Sequence, residues 1–404
     1  MGAQIFLHNL LQRFYANTRI GGVPEISGRE FGIGEFGKKI SSRHLSFCSA
    51  DALNAFLREK APFYISCSAA RYSLPVARPM DAKGLIGADL IYEFDADEIM
   101  TSCKTSHDSW KCSSCGAGGK GRLLECPQCG RGAQVEEWVC PECLGETKRL
   151  TLRLIKVMER DFGFSQGLSV NFSGSKGFHV HVRSDAVQGF SKAGRLELLD
   201  YITGTNLSLA PLGFSFPRGS GLCPKRGAAK GWARVLLEGV EEAFSQNDAG
   251  ALAVMANVPY RNAEKLLKEK RAIMNGMERG ILLGMNGIRA EKIWKPLLLS
   301  VADLQKLPVD RQTSTDIYKI IRVPDTIHGS TGLQAKTVSL QELSSFDPLK
   351  ECVVMGGEEV LVKNALAPRF YLNGKWFGPY NNDSLSLPEY AAFYLLARHS
   401  AEVA

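Results

Sequence analysis

Seven of the chain's 11 cysteines fall in one stretch, from Cys103 to Cys143, with His107 among them. Six of the seven form three Cys-x-x-Cys pairs, Cys112/Cys115, Cys126/Cys129 and Cys140/Cys143. A segment so rich in Cys and Gly has too few apolar side chains to offset the entropy of ordering it, so it needs a staple. In a reducing compartment this spacing points to metal rather than disulfides, with zinc ahead of an iron–sulfur cluster. Seven thiolates and one imidazole fill two tetrahedral zinc sites. Ten residues separate Cys115 from Cys126, the spacing of a zinc ribbon, and Gly130 after Cys126-Pro-Gln-Cys129 permits the tight turn of a knuckle. By nesting, Cys103, His107, Cys140 and Cys143 make an outer site, and Cys112, Cys115, Cys126 and Cys129 an inner ribbon inserted into it. Closed four-ligand sites are structural, so any catalysis lies elsewhere. The isolated Cys48, Cys67, Cys223 and Cys352 are expected to be small buried hydrophobes.

The strongest chemical signal is Leu90-Ile-Tyr-Glu-Phe-Asp95-Ala-Asp97, an apolar run ending in two carboxylates. On a strand over Asp89–Asp97, period-two alternation places Asp95 and Asp97 on one face. Paired carboxylates repel unless a cation neutralises them, and divalent ions holding nucleotide phosphates do so. The plainer alternative is two solvated carboxylates at a strand end.

At 404 residues, 45% hydrophobic and 23% charged, the chain has the composition of an ordinary globular protein. Its net charge of +7 is compatible with a polyanionic partner. No run of 18 or more apolar residues indicates a membrane span, and the start, Met1-Gly-Ala-Gln-Ile-Phe6, carries neither a secretory nor a myristoylation pattern. A cytoplasmic protein with no membrane partner is expected. The pattern predicts helices over 4–15, 51–60, 142–162, 190–205 and 387–404, and a mostly helical stretch over 238–300 with solvated basic residues at 265–271. Strands are predicted in a hairpin over 28–48, and at 63–67, 89–97, 169–173 and 178–183.

The last two strands flank Ser173-Gly-Ser-Lys176-Gly, a turn resembling a phosphate cradle. Its glycines let backbone N–H groups approach an anion, Ser173 offers a hydroxyl and Lys176 a charge. His179 lies just beyond, within reach of a phosphate oxygen; His181 shares its face and ranks lower. Asp316 is a candidate third carboxylate, with Arg322 and His328 following near a second glycine turn.

These pieces, in this order, resemble the catalytic small subunit of archaeal and eukaryotic DNA primases, the archaeal form best. The resemblance runs along nearly the whole chain: Arg29-Glu-Phe-Gly32, Arg43-His-Leu-Ser-Phe47, Gly87 to Asp97, Trp138-Val-Cys-Pro-Glu-Cys143, Asp161-Phe-Gly-Phe164, Ser173 to His181, Asp316, Arg322 to Gly332, and Leu387-Pro-Glu-Tyr-Ala391. It implies an α/β (α+β) prim-pol catalytic core, with a mixed β-sheet flanked by helices, an inserted zinc-binding motif and a variable helical subdomain. The expected division is catalytic core in 1–102, 144–204 and 301–404, zinc insertion in 103–143 and helical subdomain in 205–300. Asp95, Asp97 and Asp316 would hold two Mg²⁺ or Mn²⁺ ions. Ser173, Lys176, His179, Arg322 and His328 would bind the nucleotide, and Glu30 and Arg43 match N-terminal site positions. Cys103, His107, Cys140 and Cys143 match the family's structural zinc, whereas the ribbon of Cys112, Cys115, Cys126 and Cys129 departs from the shortest members. Ser175 stands where many relatives carry a second basic residue. The implied activity is nucleotidyl transfer, making short RNA or DNA primers from NTPs or dNTPs on single-stranded DNA, beside a large subunit, at the nucleoid of an archaeal cell. The alternatives are a dNTP-preferring primase-polymerase of repair or a mobile replicon, and a non-enzymatic zinc-ribbon subunit that only binds nucleic acid.

Overall fold

A computed structural model describes residues 2–217, 220–285 and 287–404. Met1, Arg218, Gly219 and Asn286, which fall within expected spans, lie outside it. The chain is mixed α/β and divides into two compact units. One comprises 1–159, 164–196 and 308–404; the other comprises 160–163 and 197–307.

The larger unit is built on two sheets. In the first, Tyr64–Tyr72 is the hub, pairing with Arg29–Glu35, Leu85–Ala88 and Ile320–Arg322, while Lys38–Leu45 closes the hairpin with Arg29–Glu35. In the second, Leu90–Asp95 pairs with Gly177–Val182, which pairs with Leu168–Phe172, which pairs with Thr337–Val338. Only Asp89 separates Leu85–Ala88 from Leu90–Asp95, so the chain passes directly from one sheet to the other. The expected mixed sheet is corrected here: every strand pairing among the described residues is antiparallel. Two of these pairings, Arg29–Glu35 with Lys38–Leu45 and Leu168–Phe172 with Gly177–Val182, are hairpins whose turns are too short for the crossovers that parallel strands require.

Local sequence explains the elements that carry the site. Ser49 caps the helix Ala50–Lys60 by accepting from the Ala52 N–H at 3.2 Å. The helix Pro141–Phe162 buries Leu144, Leu150, Leu154, Ile155 and Met158, its apolar stripe, at about 1.5–3 kcal/mol per side chain. Val170, Phe172, Phe178 and Val180 are fully buried in the second sheet, where Phe172 and Phe178 meet edge to face at 5.6 Å.

The other unit has its own core. The helices Gly231–Ser245, Ala249–Ala256, Tyr260–Lys268, Lys270–Arg279 and Ala290–Gln305 enclose Leu236, Val240, Phe244, Trp294 and Leu298. Lys265, Lys268 and Arg271 are exposed, the solvated face expected.

Near the C-terminus two strands, Glu359–Ala367 and Tyr380–Pro388, pair before a helix limited to Glu389–Ala397. Their apolar residues do not keep to one face, Leu361 and Leu366 being exposed, so apolar periodicity did not mark them. Of the isolated cysteines, Cys223 and Cys352 are buried, Cys67 is partly buried, and Cys48 is exposed, contrary to expectation. Among the described residues no helix is long and apolar enough to cross a membrane.

Candidate active site

The strand Leu90–Asp95 ends earlier than expected. Asp97 lies in the turn that follows, closed by the Glu98 N–H donating to the Asp95 carbonyl at 3.1 Å. The register sets Glu93 opposite His179 and Asp95 opposite Gly177, so Glu93, Asp95 and His179 share a face. A Cβ at Gly177 would lie 1.8 Å from the Phe94 carbonyl and 2.6 Å from Asp95 Oδ1, so only glycine admits that carboxylate. Asp95 Oδ1 and Asp97 Oδ1 are buried without hydrogen-bond partners. Burial, reinforced by the charges of Glu93, Asp97 and Glu98, pushes Asp95 up to about 7. Burial also opposes ionisation of Asp97, but the Lys176 hydrogen bond at 2.8 Å outweighs it and holds Asp97 below its ordinary value. Two orphaned oxygens in a carboxylate cluster short of cations are what a divalent ion neutralises.

The cluster contains carboxylates that the sequence reading missed. Glu93 takes Lys319 at 2.6 Å and sits 3.4 Å from His179 Nε2. Asp310 caps the short helix Arg311–Thr315, which packs on Leu90–Asp95, and its charge acts on both Glu93 and Glu98. The only hints were Glu93's two-residue spacing from Asp95 and an aspartate that reads as a mere cap. Asp316, by contrast, is not brought to the cluster. It is exposed beyond the end of that helix, and its carboxylate turns back to accept the Tyr318 N–H at 2.9 Å. Its field is felt instead at Tyr72, beside Glu30 and Arg43.

The glycine turn has a different inner logic from the one expected. The N–H groups of Ser175, Lys176 and Gly177 all converge on Ser173 Oγ, at 3.2–3.3 Å. Ser173 therefore shapes the turn by occupying its N–H groups, and Lys176 is left as the anion-seeking group. Lys176 is held by Asp97 and by Glu137, the latter at 2.6 Å; burial works against its charge, but both bonds raise its pKa. Gly174 has φ +77, and a Cβ there would lie 2.8 Å from His328 Cβ, so the turn seats directly on the His328 loop. Thr331 Oγ1 ties the two by donating to the Gly174 carbonyl.

Arg322 and His328 meet at Tyr64. The guanidinium lies 5.0 Å from the Tyr64 ring centroid and the imidazole stacks edge-on at 5.6 Å. Arg322 Nη1 is buried with no partner. Burial lowers the pKa of Arg322 to about 10, which leaves it charged at neutral pH. Burial also lowers His179, and lowers His328 far below the ordinary value, so both are neutral at pH 7 and offer a hydrogen bond rather than a charge.

Glu30 and Arg43 are paired with each other. The fully buried Glu30 accepts from Arg43 Nε at 2.9 Å and from the His44 N–H at 3.3 Å, with Lys83 Nζ 3.6 Å away. Its acceptor capacity is spent inside the fold.

Both Cys/His sets assemble. The donor atoms of Cys103, His107, Cys140 and Cys143 lie within 4.8 Å of one another, as do those of Cys112, Cys115, Cys126 and Cys129. The sulfur separations, 3.4 Å for Cys103–Cys143 and 3.6 Å for Cys112–Cys129, suit the edge of a zinc–thiolate tetrahedron of about 3.8 Å, and no disulfide forms. His107 Nδ1 contacts Asp108 Oδ1 at 2.8 Å, the outer partner that orients a ligating imidazole. In the inner ribbon the N–H groups of Cys115 and Ser114 pull Cys112 down to about 6, favouring the thiolate that metal requires. The ribbon's own core is little more than Trp110 against Cys112 and Cys126.

An antiparallel α/β core with a carboxylate cluster, a cationic flank and a zinc-type insertion has the donor set expected of an enzyme class that handles phosphates with divalent ions. Comparison with known proteins narrows the class. The family model described as DNA primase small subunit matches residues 135–340, just over half of the chain. Curated DNA primase small subunits align along nearly its whole length. That of Methanothrix thermoacetophila is 28% identical, covering 98% of both chains. That of Cenarchaeum symbiosum is 29% identical, covering 99% of this chain and 98% of its own. That of Methanosphaerula palustris is 29% identical over 90% of this chain and 87% of its own. The chain belongs to the DNA primase small subunit family, in its archaeal form, and its activity is of the nucleotidyl-transferring polymerase type.

Proposed function

We propose that this chain joins nucleotides into short RNA primers on single-stranded DNA. The observation that carries the reading is the meeting of two orphaned carboxylate oxygens, on Asp95 and Asp97, with Lys176, beside a His179 that feels both Glu93 and the Arg322 charge. Two Mg²⁺ or Mn²⁺ ions held by Asp95, Asp97 and Asp310, which takes the place expected for Asp316, would activate the primer's 3′-hydroxyl and steady the leaving pyrophosphate. Lys176 exchanges Asp97 for a phosphate oxygen when the triphosphate arrives. Arg322 offers its unpaired Nη1 to the same group, and His179 and His328 donate from neutral rings, so that charge developing in transfer meets donors already in place. Ser173 sets the turn that aims Lys176, while Glu30 and Arg43 brace the first sheet. Zinc in the two Cys/His sets would hold the insertion folded.

The same reading gives catalysis to residues 1–102, 144–204 and 301–404, zinc binding to 103–143 and an accessory role to 205–300. A large subunit is the expected partner, in the cytoplasm at the nucleoid. The test is primer synthesis on single-stranded DNA with Mg²⁺ or Mn²⁺ and labelled NTPs or dNTPs, wild type against Asp95→Ala/Asp97→Ala, with and without the large subunit. Product from the wild type alone is expected. Preference for dNTPs would make it a primase-polymerase, and binding without incorporation under every condition would make it a non-enzymatic subunit.

A further inference from the structure

Four charged residues close a ring around the turn that carries Asp97. Asp97 Oδ2 accepts from Lys176 Nζ at 2.8 Å, and Lys176 Nζ donates to Glu137 Oε2 at 2.6 Å. Glu137 Oε1 lies 3.4 Å from Arg122 Nη1, and Arg122 Nη1 donates to the backbone carbonyl of Asp97. A second cation, the buried Lys104, donates to the same carbonyl at 3.2 Å. Three of these residues come from the Cys-rich insertion: Lys104 between Cys103 and His107, Arg122 between Cys115 and Cys126, Glu137 between Cys129 and Cys140.

The insertion holds them firmly. Arg122 follows Gly121, whose N–H donates to the Asp108 carbonyl at 2.7 Å. The Asp108 side chain contacts His107 and also accepts the Trp138 N–H at 3.0 Å, joining a zinc-ligand position to the residue after Glu137. Arg398 donates to the Glu137 carbonyl and stacks over Trp138 at 4.3 Å. The turn itself has little else to fix it: the Glu98 N–H to the Asp95 carbonyl, and the Ala96 N–H to the Lys176 carbonyl at 3.0 Å. A peptide carbonyl gripped by two cations cannot rotate freely, and the direction of the Asp97 carboxylate follows from that peptide.

We propose that Arg122 is a positioning residue, through which the inner ribbon aims the Asp97 carboxylate at a divalent cation; this rests on the reading of Asp95 and Asp97 as metal carboxylates. Glu137 completes the device. It gives Lys176 a second anion, so Lys176 can release Asp97 without being left as an unpaired half-buried charge.

The proposal predicts a sign opposite to simple electrostatics. Removing a positive charge beside a cation site should tighten cation binding. Removing a clamp should loosen it. The experiment uses the full chain with zinc bound, comparing wild type, Arg122→Gln, Arg122→Met and Arg122→Lys. Mn²⁺ binding is titrated by the electron paramagnetic resonance signal of the free ion, and zinc content is measured on the same samples. Arg122→Gln and Arg122→Met are expected to keep their zinc yet bind Mn²⁺ about tenfold more weakly, the scale of one charge-assisted hydrogen bond. Arg122→Lys, which can still donate to the carbonyl, should recover most of that loss. Mn²⁺ binding that is unchanged or tighter in the zinc-replete variants overturns the proposal. So does loss of zinc in both, which would make Arg122 a support of the ribbon alone. If wild-type Mn²⁺ binding is indifferent to Asp95→Asn, the carboxylate reading itself fails and takes the proposal with it.

Discussion

Replacing Asp95 by Asn should abolish activity and yet make the metal-free protein more stable. The carboxyl sits in a cluster of like charges with Oδ1 unpartnered, and its pKa is pushed from 3.8 to about 7. An unfolded chain loses that proton near pH 4, whereas the folded chain keeps it to about pH 7. Between those values the folded state binds more protons, so stability falls as pH rises. At about 1.4 kcal/mol per pH unit, the full cost above pH 7 is about 4 kcal/mol, trimmed to about 2–4 kcal/mol by solvent reaching the group. Asn carries no charge and escapes the cost. Thermal unfolding in metal-depleted buffer that leaves zinc in place is the assay. At pH 8 the variant should melt higher by about 3–6 °C, and at pH 4 the difference should vanish. Mn²⁺ at about 100 times its dissociation constant should stabilise the wild type by about 2.7 kcal/mol and leave the variant unmoved. A variant less stable than wild type at pH 8, or an offset that does not depend on pH, would refute the argument that burial and like charge hold this proton.

The position of the third carboxylate gives a direct contrast: Asp310→Asn should lower primer synthesis at least ~10²-fold, while Asp316→Asn stays near wild type in the same steady-state assay. Because burial keeps His328 neutral at pH 7, His328→Asn, which retains a donor, should raise the nucleotide KM less than His328→Ala does, and neither effect should change between pH 7 and 8. Stripping zinc with a strong chelator should collapse the near-ultraviolet circular dichroism of Trp110 and Trp138 while leaving most of the far-ultraviolet signal, since the ribbon has scarcely any core besides its thiolates.

The reach of the sequence reading followed the distance over which each feature is encoded. The zinc ligands were legible because Cys-x-x-Cys spacing is itself the geometry of a knuckle. The helix Pro141–Phe162 was legible because its stripe repeats with the helical period. The existence of the turn over Ser173–Gly177 was legible from its glycines, but its inner wiring was not, since the N–H groups expected to face an anion are taken by Ser173 Oγ. The end of the strand at Asp95 was not legible, because the turn at Asp97 is stabilised by Lys104 together with Arg122 and Lys176, the last two far off in sequence. Nor was the choice between Asp310 and Asp316, which lie at opposite ends of one short helix. Which of the two meets Glu93 depends on how that helix packs on a strand more than 200 residues away in the chain.

Ligand types, the class of chemistry and family membership are thus carried by short-range spacing, which survives in any sequence that must build the same local turn. The composition of the charge network is carried by the register of two antiparallel sheets. That register sets His179 against Glu93 and Arg322 against Ser66, beside the Tyr64 shared with His328. It also leaves Asp95 short of a cation. A pairing register is set by matching the buried faces of two strands, so the pattern of one strand alone does not say which residue of a distant strand it will face.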